Sequence, residues 1–197
     1  MTAIVGYTDG HAMVLGADSA GVTDRLIISC AFHKIFTSGD GIVGVSGGVR
    51  IGQLIRFQGA RLELGDDGPV PSLLRWIQAL RVGLGPAGVL RTKDGVEELA
   101  DSRMLVGLAG RWFEIDSEWQ IIEPATPYWA IGSGQLLALG ALHTMASLQE
   151  CLDLAHRVEI AWTPRSPRDR VTTALQAAAM YDPGVRAPFE FVERPVR

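Results

Sequence analysis

Cysteine is almost absent from this chain: two in 197 residues, Cys30 and Cys151, far apart and without a CxxC spacing. That excludes a disulfide framework and a thiolate zinc site; each lies among apolar neighbours, so both are expected as buried free thiols in a reducing, cytoplasmic compartment. No apolar run approaches the roughly eighteen residues needed to cross a bilayer, and no basic-then-apolar segment opens the chain, so neither a membrane partner nor a pro-segment beyond Met1 is expected. The 18 basic and 22 acidic residues form no block of one sign, which argues against nucleic acid or a membrane surface as partner. His11, His33, His143 and His156 show no ligand spacing, so no metal or cofactor is expected, and His143 reads as a satisfied core residue of an apolar helix. Repeats, low-complexity tracts and linker composition are also missing, which leaves one domain over residues 1–197.

What the chain does have is apolar residues, 47% of the total. That supplies a sizeable core and surplus surface for subunit contacts. The five tryptophans sit in strand or helix runs and read as core or contact residues rather than base-stacking platforms.

Short β-rich runs open the sequence: Ala3 to Tyr7, an Asp9-Gly10 turn, then Ala12 to Ala17, a pairing that returns Asp18 towards Thr2. Leu26 to Phe36 and Ile42 to Ser46 read as a second pair around Ser38-Gly39-Asp40-Gly41, delivering Lys34 to the same sheet. Ser46-Gly47-Gly48 precedes a helical spacing of Ile51, Leu54, Ile55 and Leu62. A second helix runs from Pro71-Ser72 to Leu84, and Gly83 to Gly95 reads as an irregular connection. Strands return at Met104 to Leu108, Trp112 to Ile115, Trp119 to Ile122 and Tyr128 to Ile131. After Gly132-Ser133-Gly134 comes a small-residue stretch suited to close helix packing, then a helix over Leu148 to Ala161 and a breaker, Thr163 to Pro167. A last helix over Asp169 to Met180 and a closing strand over Pro188 to Val192 complete the chain. Two strand pairs enclosing two helices suggest a layered sandwich with the helices outside.

If Met1 is removed, Thr2 carries a hydroxyl and a free α-amine on one residue, a nucleophile beside its own base. Asp18 and Lys34 follow at even intervals of sixteen (18 − 2 and 34 − 18). An inward Lys34 requires a counter-charge, for which Asp18 is the nearest good candidate; an edge lysine in water is the plainer alternative. Paired glycines allow close approach of backbone N–H groups to a carbonyl, so Gly48, with Gly47 second, is the oxyanion-donor candidate beside an ordinary strand-to-helix turn. Ser133 is placed to cap a helix.

Thr2, Gly16-Ala17-Asp18-Ser19, Lys34-Ile35-Phe36, Ser46-Gly47-Gly48 and Ala130-Ile131-Gly132-Ser133-Gly134 occur in the order of the motifs of proteasome β-type subunits and the bacterial heat-shock-locus V peptidase, which the chain resembles. The resemblance covers Thr2 to about Leu62, resumes near Ser102, runs through Gly134 and returns weakly near the C-terminus. It implies an α+β, four-layer αββα sandwich of the N-terminal nucleophile hydrolase type and a threonine endopeptidase of a self-compartmentalised homo-oligomeric ring. The implied substrates are peptides or unfolded proteins, with an ATP-dependent unfoldase as candidate partner. It further implies Thr2 as nucleophile, Lys34 as source of positive potential with Asp18 holding it, Ser133 beside the terminal amine, and Asp182 as a relay residue. Ser46 and Arg50 fall where the family shapes its substrate pocket; Arg50 there would favour an acidic group, and as a solvent-facing helix residue it would not. Position 185, three after Asp182, is valine where the family has serine. Beside the peptidase stand an amidase for a small amide and an inactive ring protein.

Overall fold

In the computed structural model, residues 2–22, 26–154 and 166–196 are described. Strands β1 (Ile4–Thr8) and β2 (Ala12–Asp18) form the expected hairpin, with Gly10 at φ +87° in its turn and the Asp9 carboxylate accepting from the N–H groups of His11 and Ala12. Their register pairs Ile4 with Ala17, so Asp18 lies opposite Ala3, one residue from Thr2. The hairpin alone brings positions 2 and 18 together.

The expected strand Leu26 to Phe36 is instead two. Ile27–Ser29 (β4) pairs with Ala20–Val22 (β3) in a small separate sheet, and Ile35–Ser38 (β5) pairs with Gly41–Ser46 (β6). A run of β-forming residues cannot reveal a change of partner, because propensity reports fit to a pleated surface and not which surface. Lys34 therefore sits just before β5, its carbonyl accepting from Val45 N–H, and so comes from the sheet opposite the β1–β2 hairpin rather than from the same sheet as expected.

Helix α1 (Val49–Gln58) stops before Leu62, which is buried from the following loop. Helix α2 (Pro69–Leu84) starts two residues before the expected Pro71, because Pro69 occupies a first-turn position that needs no N–H. The expected irregular connection contains a 3-10 turn and a hairpin, β7 (Leu90–Lys93) and β8 (Val96–Leu99), around Asp94-Gly95, both at positive φ. Its strands are mostly polar and partly exposed, so no apolar alternation marked them.

Strands β9 (Arg103–Leu108), β10 (Arg111–Ile115) and β12 (Tyr128–Ile131) match the reading closely. Strand β11 is only Ile121–Ile122, because Trp119 at φ +67° belongs to a turn whose N–H groups at Glu118 and Gln120 donate to Asp116. Helix α3 is continuous over Gln135–Leu154, so no new helix starts at Leu148; Ala155 to Arg165, including most of the breaker, lies outside the described residues. His143 on α3 is exposed, not a core residue, with its Nδ1 3.4 Å from Tyr128 Oη. Helix α4 (Pro167–Tyr181) begins at a capping box of Ser166 and Asp169, and β13 (Phe189–Pro195) closes the chain. Among the described residues no helix is long and apolar enough to cross a membrane.

The strands stack as two sheets, β12-β1-β2-β13 and β11-β10-β9-β6-β5. Three apolar layers separate the elements. One packs α1 and α2 on the second sheet through Ile51, Ile55, Trp76 and Leu80 against Val43, Met104 and Phe113. Another packs α3 and α4 on the first sheet through Leu142, Val171 and Leu175 against Val5 and Val14. The third lies between the sheets: Ile4, Met13 and Leu15 face Ile42, Leu105 and Trp112. This is an αββα sandwich, and it explains why β1, β2 and β6 read as unbroken apolar runs: both faces of each are covered. The sheets meet at Gly6 and Gly107, where an added Cβ would come within 2.8 Å of the Trp112 ring.

Candidate active site

Thr2 lies two residues before β1, the strand flanked on both sides by β2 and β12. Its Oγ1 accepts from Lys34 Nζ at 3.2 Å, and the same ammonium donates to Asp18 Oδ1 at 2.8 Å. Asp18 has no exposed surface, and Lys34 and Thr2 retain 8% each. Both carboxylate oxygens are engaged: Oδ1 also accepts from Ala3 N–H at 2.9 Å, and Oδ2 from Ala20 N–H at 2.9 Å. A buried ion pair is tolerable when additional hydrogen bonds support the carboxylate in this way. The edge-lysine alternative is thereby corrected: Lys34 points inward.

On the other side of Thr2, its nitrogen donates to Ser133 Oγ at 3.0 Å. That nitrogen, an amide in the unprocessed chain, stands in for the α-amine that removal of Met1 would free. Gly134 N–H donates to the Thr2 carbonyl at 3.2 Å, and Gly132, at φ +96°, comes so close that a Cβ there would meet the Thr2 carbonyl oxygen at 2.2 Å. Only glycine fits at position 132, for both reasons.

The two glycines after β6 differ. Both line the cleft beside Thr2, and Gly47 stands at φ +117°. Gly48 N–H, the first oxyanion candidate, is turned to Ser102 Oγ at 3.1 Å. Sequence reasoning did not find Ser102, since a lone serine between turn and strand carries no motif; Ser46 opposite Arg103 across β6 and β9 is what brings it here.

The cleft is walled by Ala20, Cys30, Phe32, Val45, Val49 and Gly52, with Lys34 at its base. Among the described lining residues Lys34 and Cys30 are the ionisable ones, and Lys34 is held by Asp18. Cys30 is a half-buried free thiol rather than a fully buried one. The two expected pocket residues lie elsewhere: Ser46 is buried behind Val45, outside the lining, and the exposed Arg50 donates to the Ala87 carbonyl at 2.9 Å. Side chains alternate across a strand, so the neighbour of Ser46 faces the cleft in its place.

Asp182 is buried at the C-terminal end of α4, and its Oδ1 accepts from Gly184 N–H at 2.9 Å. Val185 packs in the layer under α3 and α4, close enough that a Cβ on Gly134 would meet its Cγ2 at 3.0 Å. The Asp182 turn thus abuts the Ser133 loop through an apolar contact. Among the described residues no three His, Cys, Asp or Glu side chains converge as a metal site would require.

No family model and no curated protein matches the sequence. The fold, however, is that of the N-terminal nucleophile hydrolases of the heat-shock-locus V and proteasome β type. Particular structures with this fold include BPH of Thiobacillus denitrificans, solved in complex with epoxomicin (16% identity, TM-score 0.76, 99% of each chain covered) and alone (18%, 0.73, 100% of this chain and 99% of that one). Eukaryotic HslV from Trypanosoma brucei is similar too, at 18% identity and TM-score 0.64 over 97% of this chain and 98% of its own.

Proposed function

We propose that the chain is a threonine peptidase whose nucleophile is Thr2 after removal of Met1. The observation that carries this reading is the convergence on one residue of a buried, carboxylate-anchored ammonium at Oγ1 and a serine hydroxyl at the nitrogen. In the proposed reaction the Thr2 Oγ–C bond forms at the peptide carbonyl while the neutral α-amine, directly or through water, takes the hydroxyl proton. The carbonyl π electrons move onto oxygen, where a Gly47 N–H compensates the charge. Collapse breaks the C–N bond, the ammonium returns its proton to the leaving amine, and water hydrolyses the resulting ester. Lys34 supplies positive potential where negative charge develops on Oγ1; Ser133 orients the amine.

Among the described residues the cleft walls are mostly apolar and Lys34 is paired with Asp18, so the side chain preceding the cut is proposed to be small to medium and apolar. A homo-oligomeric ring in the cytoplasm, receiving unfolded protein from an ATP-dependent unfoldase, is the proposed setting. Exposed Leu136, Met180 and Tyr181 on α3 and α4, and Phe57 and Val82 on α1 and α2, are apolar surface of the kind subunit contacts cover.

The test is intact mass combined with a peptide epoxyketone. Loss of Met1, one covalent adduct on the wild type and none on Thr2→Ala are expected. A chain that keeps Met1 and takes no adduct overturns the peptidase and leaves an inactive ring protein; adduct formation by a monomer favours the amidase.

A further inference from the structure

The C-terminal strand β13 holds β5 at both of its ends. The two are outer strands of opposite sheets, and β13 packs against β5. Glu190 and Val192 stand opposite Ala17 and Leu15 of β2, and paired residues share a face, so both point into the layer between the sheets. Arg194 follows at the same alternation: it donates to the Gly39 carbonyl at 2.7 Å and to Asp40 Oδ1 at 3.3 Å, just after β5. Glu190 Oε1 meets His33 Nδ1 at 2.9 Å, just before β5. The other oxygen, Oε2, is buried and has no partner among the described residues, so the hold on this carboxylate rests on Oε1.

His33 and Lys34 are consecutive, and their side chains part: Lys34 goes to Asp18 at the end of β2, His33 to Glu190 on the neighbouring β13. The first sheet thus grasps two adjacent residues of a segment whose backbone leads into the second. That segment is irregular from Cys30 to Lys34. Its backbone is fastened at the two ends, by Cys30 N–H on the Ser19 carbonyl at 2.7 Å and by Val45 N–H on the Lys34 carbonyl at 2.9 Å.

We infer that Glu190 is a positioning residue: through His33 it fixes the segment that holds Lys34 Nζ 3.2 Å from Thr2 Oγ1. The inference rests on the peptidase reading above. With the His33 tie cut, Lys34 keeps Asp18 and stays charged; what it loses is a fixed distance to the reacting oxygen, on which the potential there depends. The loss falls mainly on kcat, because Ala20, Val45, Val49 and Gly52 wall the cleft from other segments.

The experiment compares wild type, Glu190→Ala, Glu190→Gln, His33→Ala, His33→Asn and the double alanine variant on a fluorogenic peptide, with Arg194→Ala as the control at the far end of β5. Each single alanine variant at 33 or 190 is expected to lower kcat by about 3- to 10-fold with KM within about twofold, and the double variant should be no slower than the slower single one. Glu190→Gln keeps an acceptor and His33→Asn a donor, so both should regain most of kcat. Arg194→Ala should leave kcat within about twofold, although it too unties β13 from β5. His33 is exposed, so its variants carry the test if Glu190→Ala does not fold. Unchanged kcat in the alanine variants, additive losses in the double variant, or an equal loss in Arg194→Ala overturns the role of Glu190 while the wild type still labels at Thr2. A wild type that neither labels nor turns over overturns the peptidase reading and this one with it.

Discussion

Lys34 Nζ lies 2.8 Å from Asp18 Oδ1, and that carboxylate has no exposed surface. Deleting either charge strands the other in the interior. Lys34→Met and Asp18→Asn are each expected to destabilise the fold by ~3–5 kcal/mol, while the double variant should cost less than the sum. Urea unfolding of the four proteins in the cycle measures this; strict additivity would mean the charges do not interact.

Gly47 and Gly48 are adjacent but should respond oppositely to alanine. At Gly48, with φ −69°, an added Cβ meets nothing nearer than 3.5 Å; at Gly47 the positive φ and the Ser102 contact both resist it. Gly48→Ala should stay within about 1 kcal/mol of wild type, whereas Gly47→Ala should lose more than ~2 kcal/mol. Thermal unfolding with both variants settles the order.

Arg50 is held outside the cleft by the Ala87 carbonyl. Arg50→Glu should therefore leave the ratio of kcat/KM between apolar and acidic residues at the cut within about twofold. Narrowing the cleft by Gly52→Leu should depress cleavage after larger apolar residues by about tenfold or more, since an added Cβ already meets the Phe32 ring at 3.2 Å. A shift towards acidic peptides in the arginine variant would show that the charge reaches the substrate.

Asp9 carries a pH signature away from the site. The Ala12 N–H first, then that of His11, stabilises its carboxylate and holds it below the ordinary value near 3.8, against an opposing effect of burial. Because the folded value is the lower one, the contribution is present above pH ~3.8 and disappears as pH falls through the folded value. Asp9→Asn should be slightly less stable than wild type at neutral pH, with the gap closing in acid; Asp9 is exposed, so the gap is small. Melting points between pH 2 and 7 test the direction.

The layers were legible because both sheets are covered on both faces, which writes apolar runs into β1, β2, β6 and β9 and helical spacing into α1 and α2. The meeting of Thr2, Asp18 and Lys34 was legible for a different reason: a buried lysine needs a carboxylate, and a short hairpin returns one. The cleft was not. Its walls come from a strand that changes partner after Cys30 and from the face of β6 presented by Val45 rather than Ser46, and register decides such faces one residue at a time. Ser102 escaped because a hydroxyl that accepts one backbone N–H and donates to one carbonyl has no sequence signature. The β7–β8 hairpin escaped because its polar strands carry no core pattern.

Chain ends usually fray, yet here the second residue stands two positions before a strand clamped between two neighbours, with Gly132 wedged against its carbonyl. The aim of its hydroxyl is consequently a property inherited from the entire sheet rather than from a mobile tip. Heating should leave reactivity at position 2 unimpaired until the sandwich itself comes apart, and the two losses should then share one midpoint.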